Sequence, residues 1–432
     1  MTQVEGEVAG VVRRHAAAAL SWDTARELAH ATATPLLPRG LPLADGVGCV
    51  LATPLVSPAL VPPVDRSAMD GYAVRGSGPW KVVGTLLAAS ALPAPLSDGQ
   101  AYSIVTGAAV PAGTTAVLPY EHATRSGDHV DGPTTPGRHI RRAGEECTPG
   151  ELLLPAGALV TPQVVGLAAA LGLDRLSVIP KPRVLALITG NELSHRGPST
   201  PTQTRDAIGP MLPTLITRAG ATLANAGPST LSPSASSGAP ALPTTAAAAK
   251  AAVVHLPDSR EALVAALAGA EAEVILVSGS SASGPADHLR AALAALGAEL
   301  VIDGVACRPG HPQALARFAD GRLVVGLPGN PLAALTAFLT LGVAVVQGLR
   351  GEQLDRLAVA GVVGGVDCHP ESTRLVPVRL TAQGVVPVGH GGSAMLRGAA
   401  AADAFAVVDP GPAEAIAARL LPMDPGTRPW GV

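Results

Sequence analysis

Aromatic and charged residues are scarce in this sequence. Aromatic side chains make up 2% of its 432 residues and charged side chains 15%, whereas about 25% of residues are charged in an average globular protein. Apolar residues still reach 47%, so the chain can form several cores, and these must consist mainly of Ala, Leu and Val. The 49 Gly and 41 Pro indicate many turns and short elements, and the length suffices for about two to four domains.

Other features that the sequence lacks exclude whole classes of protein. The net charge is only −3, which argues against a basic surface for nucleic acid or membranes. Cys49, Cys147, Cys307 and Cys368 form no C-x-x-C pair, which argues against a disulfide framework or a cysteine zinc site. The N-terminus is acidic and polar, unlike a signal peptide, and the helix candidate 332–346 is shorter than the roughly 18 residues of a membrane span. We therefore expect a cytoplasmic protein with reduced cysteines and neither nucleic acid nor membrane as a partner.

The pattern of apolar residues, Pro and Gly changes along the chain. Short apolar runs separated by Pro and Gly occupy about 43–180 and return after about 350, which is typical of small β domains. Between them, apolar strand candidates alternate with helix candidates, which predicts a parallel, doubly wound sheet. Residues 226–250 are nearly all Ala, Ser, Pro, Thr and Gly, which predicts a flexible insertion within the α/β part. Residues 21–32 predict a surface helix with Ser21 as its N-cap.

Three strand candidates end in loops of unusual composition: "ITGNEL" at 188–193, "VSGSSASGPADHL" at 277–289 and "GLPGNP" at 326–331. Ligands of an open parallel sheet bind beyond the carboxyl ends of its strands. Gly-rich loops that lead into helices expose backbone N–H groups suited to phosphates and oxyanions. One such loop is most often an ordinary turn, but three at one sheet edge favour a ligand site. In the third loop, Asn330 is predicted as an N-cap and Pro331 as the first helical residue.

Charged residues near these loops leave several interpretations open. Arg308 and His311 flank a Pro-Gly turn in "CRPGHP", where they either meet an anion or stay solvated in an exposed turn. "RRAGEE" at 141–146 is by itself typical of a self-pairing surface cluster. Spaced acids along the chain fit an oxygen-ligated divalent cation or acid/base work near phosphates. The sequence has neither the P-loop nor the G-x-G-x-x-G fingerprint, which argues against ATP hydrolysis and ordinary dinucleotide binding.

Taken in chain order, these motifs resemble those of one family, the molybdopterin molybdenumtransferases (MoeA-type molybdenum insertases, also the C-terminal domain of gephyrin). "PPVDRSAMDGYAVR" resembles the family's P-P-F-D-x-S-A-M-D-G-Y-A-V, and "VTGAAVPAG" resembles T-G-A-P-V-P-x-G. "RRAGEE", "ITGNEL", "SGSSASGPADHL" and "RPGHP" resemble R-x-x-G-E-D, S-T-G-D-E-L, S-G-G-V-S-x-G-x-x-D and K-P-G-K-P. "GLPGNP" is identical to the family's motif. The resemblance covers nearly the whole chain.

The resemblance implies a multidomain α/β plus β fold in four parts. The predicted parts are an elongated linker domain of 1–70 and 141–180, a small β domain of 71–140 inserted in it, a doubly wound molybdopterin-binding α/β domain of 181–348 and a C-terminal β-barrel-like domain of 349–432. It also implies a homodimer whose active site lies in a cleft shared between subunits.

The implied activity is insertion of molybdate into adenylylated molybdopterin with release of AMP, dependent on a divalent cation such as Mg²⁺, with molybdoenzymes or cofactor-pathway proteins as further partners. The motif matches imply catalytic roles for Asp65, Thr106, Glu146 (where the family has Asp), Glu192, Asp206 and Asp287. They imply Asp65, Glu192 and Asp287 as metal ligands. They imply cofactor binding by Gly190, Ser278, Gly279, Ser281, Ser283, Arg308, His311, Pro328, Gly329, Asn330, Pro331 and Ser393.

The chain departs from the family's motifs at five positions: Asn191 replaces Asp, Ile208 replaces Asn, Ser280 replaces Gly, and Arg308 and His311 replace two lysines. Histidine is mostly neutral near pH 7 at its ordinary pKa of about 6.5, so an anion held by two lysines loses about one charge here. Two functional hypotheses follow, an active insertase and a catalytically weakened paralogue that binds molybdopterin or a partner without inserting metal. An unrelated nucleotide-binding α/β protein is a third. Preference for molybdate or tungstate, the identity of the cation and the role of the insertion stay open.

Overall fold

The structure, a computed structural model, describes residues 19–224, 253–279, 288–389 and 392–426. The chain divides into two compact units: an α/β unit of Met1–Leu37 with Ile179–Val432, and a β-rich unit of Pro38–Val178. The four domain boundaries predicted from the sequence are finer than this division and stay a prediction. The predicted insertion at 226–250 lies outside the described residues.

The helices of the described residues, in chain order, are α1 (Trp22–Thr32), α2 (Leu43–Gly46), α3 (Pro162–Ala170), α4 (Leu212–Arg218), α5 (Arg260–Ala268), α6 (Leu289–Ala295), α7 (Pro331–Ala337), α8 (Val343–Leu349) and α9 (Leu396–Ala400). A 3₁₀ turn spans Tyr120–His122, and a π-helical segment, Phe338–Gly342, joins α7 to α8.

The strands of the β-rich unit are β1 (Arg39–Pro42), β2 (Val50–Leu51), β3 (Leu55–Val56), β4 (Arg66–Ser67), β5 (Gly71–Val74), β6 (Trp80–Leu86), β7 (Gln100–Ile104), β8 (Ala116–Pro119), β9 (Thr124–Ser126), β10 (His129–Asp131), β11 (Ile140–Arg141), β12 (Leu152–Leu154) and β13 (Arg175–Ile179). Those of the α/β unit are β14 (Arg183–Thr189), β15 (Leu193–Ser194), β16 (Thr204–Arg205), β17 (Thr222–Leu223), β18 (Val253–Leu256), β19 (Val274–Ser278), β20 (Glu299–Asp303), β21 (Cys307–Arg308), β22 (Ala314–Arg317), β23 (Leu323–Leu327), β24 (Ala358–Asp367), β25 (Thr373–Thr381), β26 (Gly384–Pro387), β27 (Ala404–Val408) and β28 (Glu414–Pro422).

The β-rich unit contains small sheets, as its short apolar runs predict. Its largest sheet has the order β8-β5-β7-β6-β10-β9, and β13 lies between β1 and β2 in a second sheet. Strand β5 is buried at all four positions because β7 and β8 pair with it on both sides. The two-stranded pair β4–β11 joins the segment before β5 to residues 140–141, and this pairing positions the loops described below.

The α/β unit is built around a mixed sheet of order β17-β14-β19-β23-β22-β20, with β18 also beside β14. β14, β17, β18, β19 and β23 are parallel, which confirms the prediction of a doubly wound sheet. β22 runs antiparallel to both β23 and β20. The alternation of strands and helices did not predict this antiparallel edge, because the apolar pattern of a strand is the same whether the strand pairs parallel or antiparallel.

Alternate residues of the central strands pack on opposite faces of the sheet. Val184, Ala186 and Ile188 of β14 belong to a core that also contains α7 and α8, whereas Leu185 and Leu187 belong to a core with α5 and α6. Successive side chains of a strand point to opposite faces, so continuous apolar runs are buried on both sides. Both faces of the sheet are therefore covered by helices.

The α7–π–α8 helix lies in the larger core. It spans Pro331–Leu349, longer than the 332–346 predicted, and is the one helix of the described residues that is long and apolar enough to cross a membrane. Its apolar window is 94% buried within the protein, as in a core helix. Helix α1 packs against α8, and Trp22 donates from Nε1 to Thr340 Oγ1 at 3.0 Å. Ser21 caps α1 as predicted, but one face of this expected surface helix is buried.

The C-terminal region forms a closed barrel. Strands β25, β26, β24, β28 and β27 pair in that order, and β27 pairs again with β25. Val378, Val385 and Ala404 are fully buried inside it. The β-barrel-like C-terminal domain predicted from the sequence is confirmed by this closure.

Candidate functional site

In the β-rich unit, Asp65 connects two of the predicted motifs. Its Oδ2 accepts a hydrogen bond from Arg142 Nη1 at 2.6 Å, and its Oδ1 accepts one from the Ala143 N–H at 2.9 Å. Arg142 in turn donates its backbone N–H to Glu145 at 2.8 Å. The segment 141–146 is therefore more than a self-pairing charge cluster, since its arginine holds Asp65. The Glu146 side chain is exposed, and its N–H donates to Val61 O at 2.9 Å.

A second aspartate, Asp70, holds Thr106. Its Oδ1 accepts hydrogen bonds from the Thr106 N–H at 2.6 Å and the Thr106 hydroxyl at 2.8 Å. These two bonds, the backbone one first, lower the pKa of the Asp70 carboxyl. Arg66 reinforces the connection by donating to Gly107 O at 2.6 Å. Asp65, Thr106 and Glu146 thus lie in one assembly of loops. Asp70, which fixes Thr106, is one of the spaced acids of the sequence, but the motif matches assigned it no catalytic or binding role.

The close packing of β5 against β8 explains why the motif has a glycine at position 71. A Cβ added there lies 2.1 Å from the carbonyl oxygen of Leu118 on β8, which no side chain can satisfy. The glycine after Asp70 is therefore required for β5 to pack between its neighbours. The strand predicted from "YAV" is present.

In the α/β unit, β14, β19 and β23 end at one edge of the sheet, so the loops after them begin there, as predicted. Ile188 is in register with Ser278, which is in register with Leu327. Thr189 Oγ1 donates to Ser278 O at 2.8 Å. A Cβ on Gly279 lies 2.3 Å from Thr189 Oγ1, so only glycine fits this close approach.

A pocket opens at this edge. It is lined by Thr189, Asp258, Ser259, Ser278, Gly279 and His288, with three further residues of α5, α6 and β19 and one proline. Gly329 approaches it closely, since a Cβ there meets the Cα of Gly279 at 3.8 Å. Of the predicted residues of the second loop, Ser281, Ser283 and Asp287 lie outside the described residues.

Asn191 keeps a structural role despite replacing an aspartate of the family motif. Its N–H donates to Asp258 Oδ2, and its Oδ1 accepts from the Asp258 N–H, both at 3.1 Å. An amide oxygen accepts this bond as a carboxylate does, so the substitution preserves the acceptor. Gly190 before it has φ 141°, which favours glycine. Glu192 after it is exposed.

Asp206 is buried, 5% exposed. Its Oδ1 accepts from the N–H groups of Ile208 at 2.9 Å and Gly209 at 3.0 Å, and its Oδ2 lies 3.0 Å from His255 Nε2. Burial raises the pKa of the Asp206 carboxyl, but the hydrogen bonds from His255 and the two N–H groups outweigh burial and lower it. The Ile208 side chain cannot hydrogen-bond, as the sequence indicates, but it packs in the larger core while its N–H serves Asp206.

His311 lies between β21 and β22 at the same sheet edge, because Ala314 pairs with Gly326 just before the end of β23. Arg308 ends β21 and pairs with β25 in the barrel sheet. Both Arg308 and His311 are exposed. His311 Nδ1 donates to Val305 O at 2.9 Å, which restrains the position of the ring and leaves Nε2 outside this bond. Their contact with an anion stays a prediction.

The "GLPGNP" loop brings three predicted residues together. Asn330 occupies the N-cap position and Pro331 the first turn, as predicted, but the Asn330 side chain makes no cap bond. Its Nδ2 instead donates to Ser393 Oγ at 3.1 Å. The Ser393 carbonyl accepts from the Ala333 N–H at 3.1 Å and so caps the helix. Pro328 is buried, whereas Gly329 and Asn330 are exposed.

The three predicted metal ligands are not seen as one set. Asp65 belongs to the β-rich unit and Glu192 to the α/β unit, and Asp287 lies outside the described residues. Each unit is described by itself, so this ligand set stays a prediction. Among the described residues, the group whose ligand atoms all lie within 4.8 Å of one another is His195, Asp206 and His255. Sequence reasoning missed both histidines, because they lie in separate segments of the chain.

Comparison with known families gives three matches in chain order. A profile described as "MoeA N-terminal region (domain I and II)" matches residues 20–172, one described as "Probable molybdopterin binding domain" matches 239–348, and one described as "MoeA C-terminal region (domain IV)" matches 366–417.

Individual proteins and structures are similar over most of the chain. Molybdopterin molybdenumtransferase 2 of Mycobacterium tuberculosis is 36% identical over 324 residues, 70% of this chain and 72% of that protein. Molybdopterin molybdenumtransferase of Synechococcus elongatus is 30% identical over 337 residues, 73% and 76% of the two chains. The crystal structure of the molybdopterin biosynthesis MoeA protein from Pyrococcus horikosii has a TM-score of 0.70 at 25% identity and covers 94% of this chain and 99% of its own.

Proposed function

This chain belongs to the family of molybdopterin molybdenumtransferases, and from that premise we propose that it inserts molybdate into adenylylated molybdopterin and releases AMP in molybdenum cofactor biosynthesis. One observation supports this most: the loops after β14, β19 and β23 begin at one sheet edge, where Gly279 approaches Thr189 closely. Such an edge is where open α/β sheets bind phosphorylated ligands.

The chain's own residues account for substrate binding. Backbone N–H and hydroxyl groups of the three loops bind phosphate oxygens, and Arg308, three residues before His311 on the same connection, supplies a permanent positive charge. The contact between Asn330 and Ser393 orients the third loop. In the β-rich unit, Asp65 and Asp70 hold the 142–146 and 106–107 segments in fixed positions. Positioning of this kind matters because small displacements of reacting groups reduce rates strongly.

The fit of a divalent cation differs between the predicted ligands. Glu192 is exposed, and its carboxylate is the donor type that Mg²⁺ prefers, so Glu192 fits the role. Asp65 already accepts a hydrogen bond on each oxygen and fits it less well. A bound Mg²⁺ supplies positive charge that neutralises phosphate oxygens.

The weakened paralogue is not favoured. Its main support was the set of motif departures, and two of them keep the local hydrogen bonds. Asn191 retains the acceptor for Asp258, and Ile208 provides a backbone donor to Asp206. A homodimer, a cytoplasmic location and partners in the cofactor pathway belong to the same proposal.

The decisive experiment follows AMP release from adenylylated molybdopterin with molybdate and magnesium. We expect the wild type to release AMP and Glu192→Gln to release it at least tenfold more slowly, because an acid/base group typically contributes a factor of this size or more to the rate. Glu371→Gln, an exposed glutamate on a loop of the C-terminal region, is the matched control and should keep full activity. If the wild type binds the pterin tightly but releases no AMP, the proposal is contradicted and the hypothesis of a catalytically weakened paralogue is favoured.

His311→Lys tests the anion site separately. If the loss of one charge limits the reaction, lysine should increase molybdate-dependent turnover, because it is charged at neutral pH whereas histidine is mostly neutral. His311→Gln keeps a neutral side chain and serves as the control. The molybdate concentration at half-maximal rate should fall in the lysine variant only, and equal values in all three proteins exclude this explanation.

A further inference from the structure

Three side chains from separate segments meet at the carboxyl end of β14. His195 follows β15, Asp206 follows β16, and His255 lies on β18. β15 and β16 pair in parallel with Ser194 opposite Arg205, so the two residues that follow them are neighbours. His255 is in register with Ile188 of β14, which places it at the same level. One ligand atom of each side chain lies within 4.8 Å of the others.

The carboxylate of this cluster is already oriented. Asp206 Oδ1 is occupied by the N–H groups of Ile208 and Gly209, so Oδ2 remains for the histidines and lies 3.0 Å from His255 Nε2. Metal-binding carboxylates are commonly held by such hydrogen bonds. Asp206 is buried whereas both histidines are exposed. The carboxylate is therefore held in place by the protein, and the histidine side of the cluster is open to solvent.

The two imidazoles are packed unusually closely. Their ring centroids are 3.7 Å apart at 49°. Partial desolvation of the ring first, and then the neighbouring His255, lower the pKa of His195, and Arg205 lowers it least, whereas Asp206 raises it. Neutral imidazole is the form that binds metals.

We propose that His195, Asp206 and His255 form a binding site for a divalent transition metal ion, for which Zn²⁺ is the best match. Two imidazole nitrogens and one carboxylate oxygen form a common zinc set that leaves a fourth position open. Tetrahedral ligand bonds of about 2.0–2.2 Å place the ligand atoms roughly 3.4 Å from one another. Asp206 Oδ2 and His255 Nε2, 3.0 Å apart, are already within that distance, and rotation of the exposed His195 side chain can bring the third atom to it. This set prefers zinc over magnesium, because imidazole suits transition metals and Mg²⁺ takes oxygen ligands.

Such an ion joins three parts of the chain that are distant in sequence. It connects the segment of β15 and β16 to β18, the strand that precedes the pocket residues Asp258 and Ser259 in the chain. The inference does not depend on the proposed reaction, since it concerns only binding.

The experiment uses the full chain without an affinity tag, freed of metals by chelation. Zinc binding is measured by calorimetry, and Co²⁺ is added as a spectroscopic probe, since its visible absorption reports the ligands. We expect one high-affinity ion per chain, visible cobalt bands, and zinc binding that survives millimolar Mg²⁺. His195→Gln and His255→Gln should each weaken zinc binding at least tenfold and alter the cobalt spectrum.

His122→Gln, an exposed histidine of the β-rich unit, is the matched control and should bind like the wild type. Because His255 lies on a strand, its variant can be unstable; the exposed His195 lies just after a strand and keeps the test valid. An unchanged affinity in His195→Gln overturns the proposal. A wild type that binds no zinc at micromolar concentration also overturns it, and the cluster is then only a hydrogen-bonded Asp206–His255 pair.

Discussion

Two aspartates organise the loops of the β-rich unit. Asp65 connects to Arg142 and Ala143 across the chain, and Asp70 connects to Thr106. Charged acceptors form the stronger hydrogen bonds, and here they replace the regular pairing that loops lack. A single residue therefore fixes each loop, and its effect can be measured by removing one donor.

Thr106→Val removes the hydroxyl that donates to Asp70 but keeps the backbone donor. We expect the pKa of the Asp70 carboxyl to rise towards its ordinary value, though not fully. Since the wild-type pKa is lowered, the stabilisation is present above the ordinary pKa and is lost as the pH falls through the folded-state value. The variant should therefore lose less stability than the wild type over this pH range. Carboxyl-carbon NMR titration measures the shift, with Thr85→Val on β6 as a control that leaves Asp70 unchanged.

The four cysteines should differ sharply in reactivity. Burial raises the pKa of the Cys307 thiol to about 12, and Cys49, Cys147 and Cys307 are buried whereas Cys368 is partly exposed. Thiolate is the reactive form, so native protein at pH 8 should show one fast thiol with a disulfide reagent and four after denaturation. Cys368→Ser should abolish the fast phase. A fast phase that persists in this variant contradicts the burial of the other three.

At the scale of elements, close contact between neighbours decides which residues a strand or helix accepts. Strand β5 passes so near β8 that Gly71 has no room for a Cβ. The α7–π–α8 helix contacts α1 through Trp22 and Thr340, both fully buried. Helix α3 shows the opposite case, since a Cβ on Gly166 meets no atom within 4 Å.

Gly71→Ala and Gly166→Ala form a matched pair in the β-rich unit. The first should destabilise the protein by about 1–3 kcal/mol or more, because the added methyl displaces the backbone of β8. The second should stabilise it by up to about 1 kcal/mol, because alanine is the better helix former in open space. Denaturant unfolding measures both. Equal stabilities for the two variants contradict the close approach of β5 and β8.

At the scale of the whole molecule, the predicted site residues divide between the two units. Asp65, Thr106 and Glu146 belong to the β-rich unit, and the strand-edge loops belong to the α/β unit. Each unit has its own hydrophobic cores. The family implies that the working form is a homodimer, which is a proposal for this chain.

Sedimentation at several concentrations tests that proposal. We expect a mass of twice the 42.9 kDa of one chain throughout the micromolar range, because an obligate dimer does not dissociate there. The Glu371→Gln control should sediment identically. A single-chain mass at every concentration contradicts the homodimer while leaving the fold and the proposed zinc site untouched.

Local pattern was enough to predict several features of this protein. The apolar runs predicted β14, β19 and β23 of the α/β unit but not β17, β18 or β22. The loops after these three predicted strands were placed at one edge because the carboxyl ends of parallel strands must meet there. Asn330 and Pro331 were predicted at the start of a helix, since their preferences there are local. The family motifs identified Asp65 and Asp206 as candidate site residues.

Only the tertiary structure decided which distant side chains meet. The bonds of Asp70 to Thr106 and of Asn330 to Ser393 join residues that no periodicity relates, and the antiparallel edge of β22 depends on chain reversal after β20. The His195–Asp206–His255 cluster needs the pairing of β18 with β14. The physical reason is the same in each case: hydrophobic period and turn chemistry act over a few residues, whereas contacts between segments depend on strand register and packing.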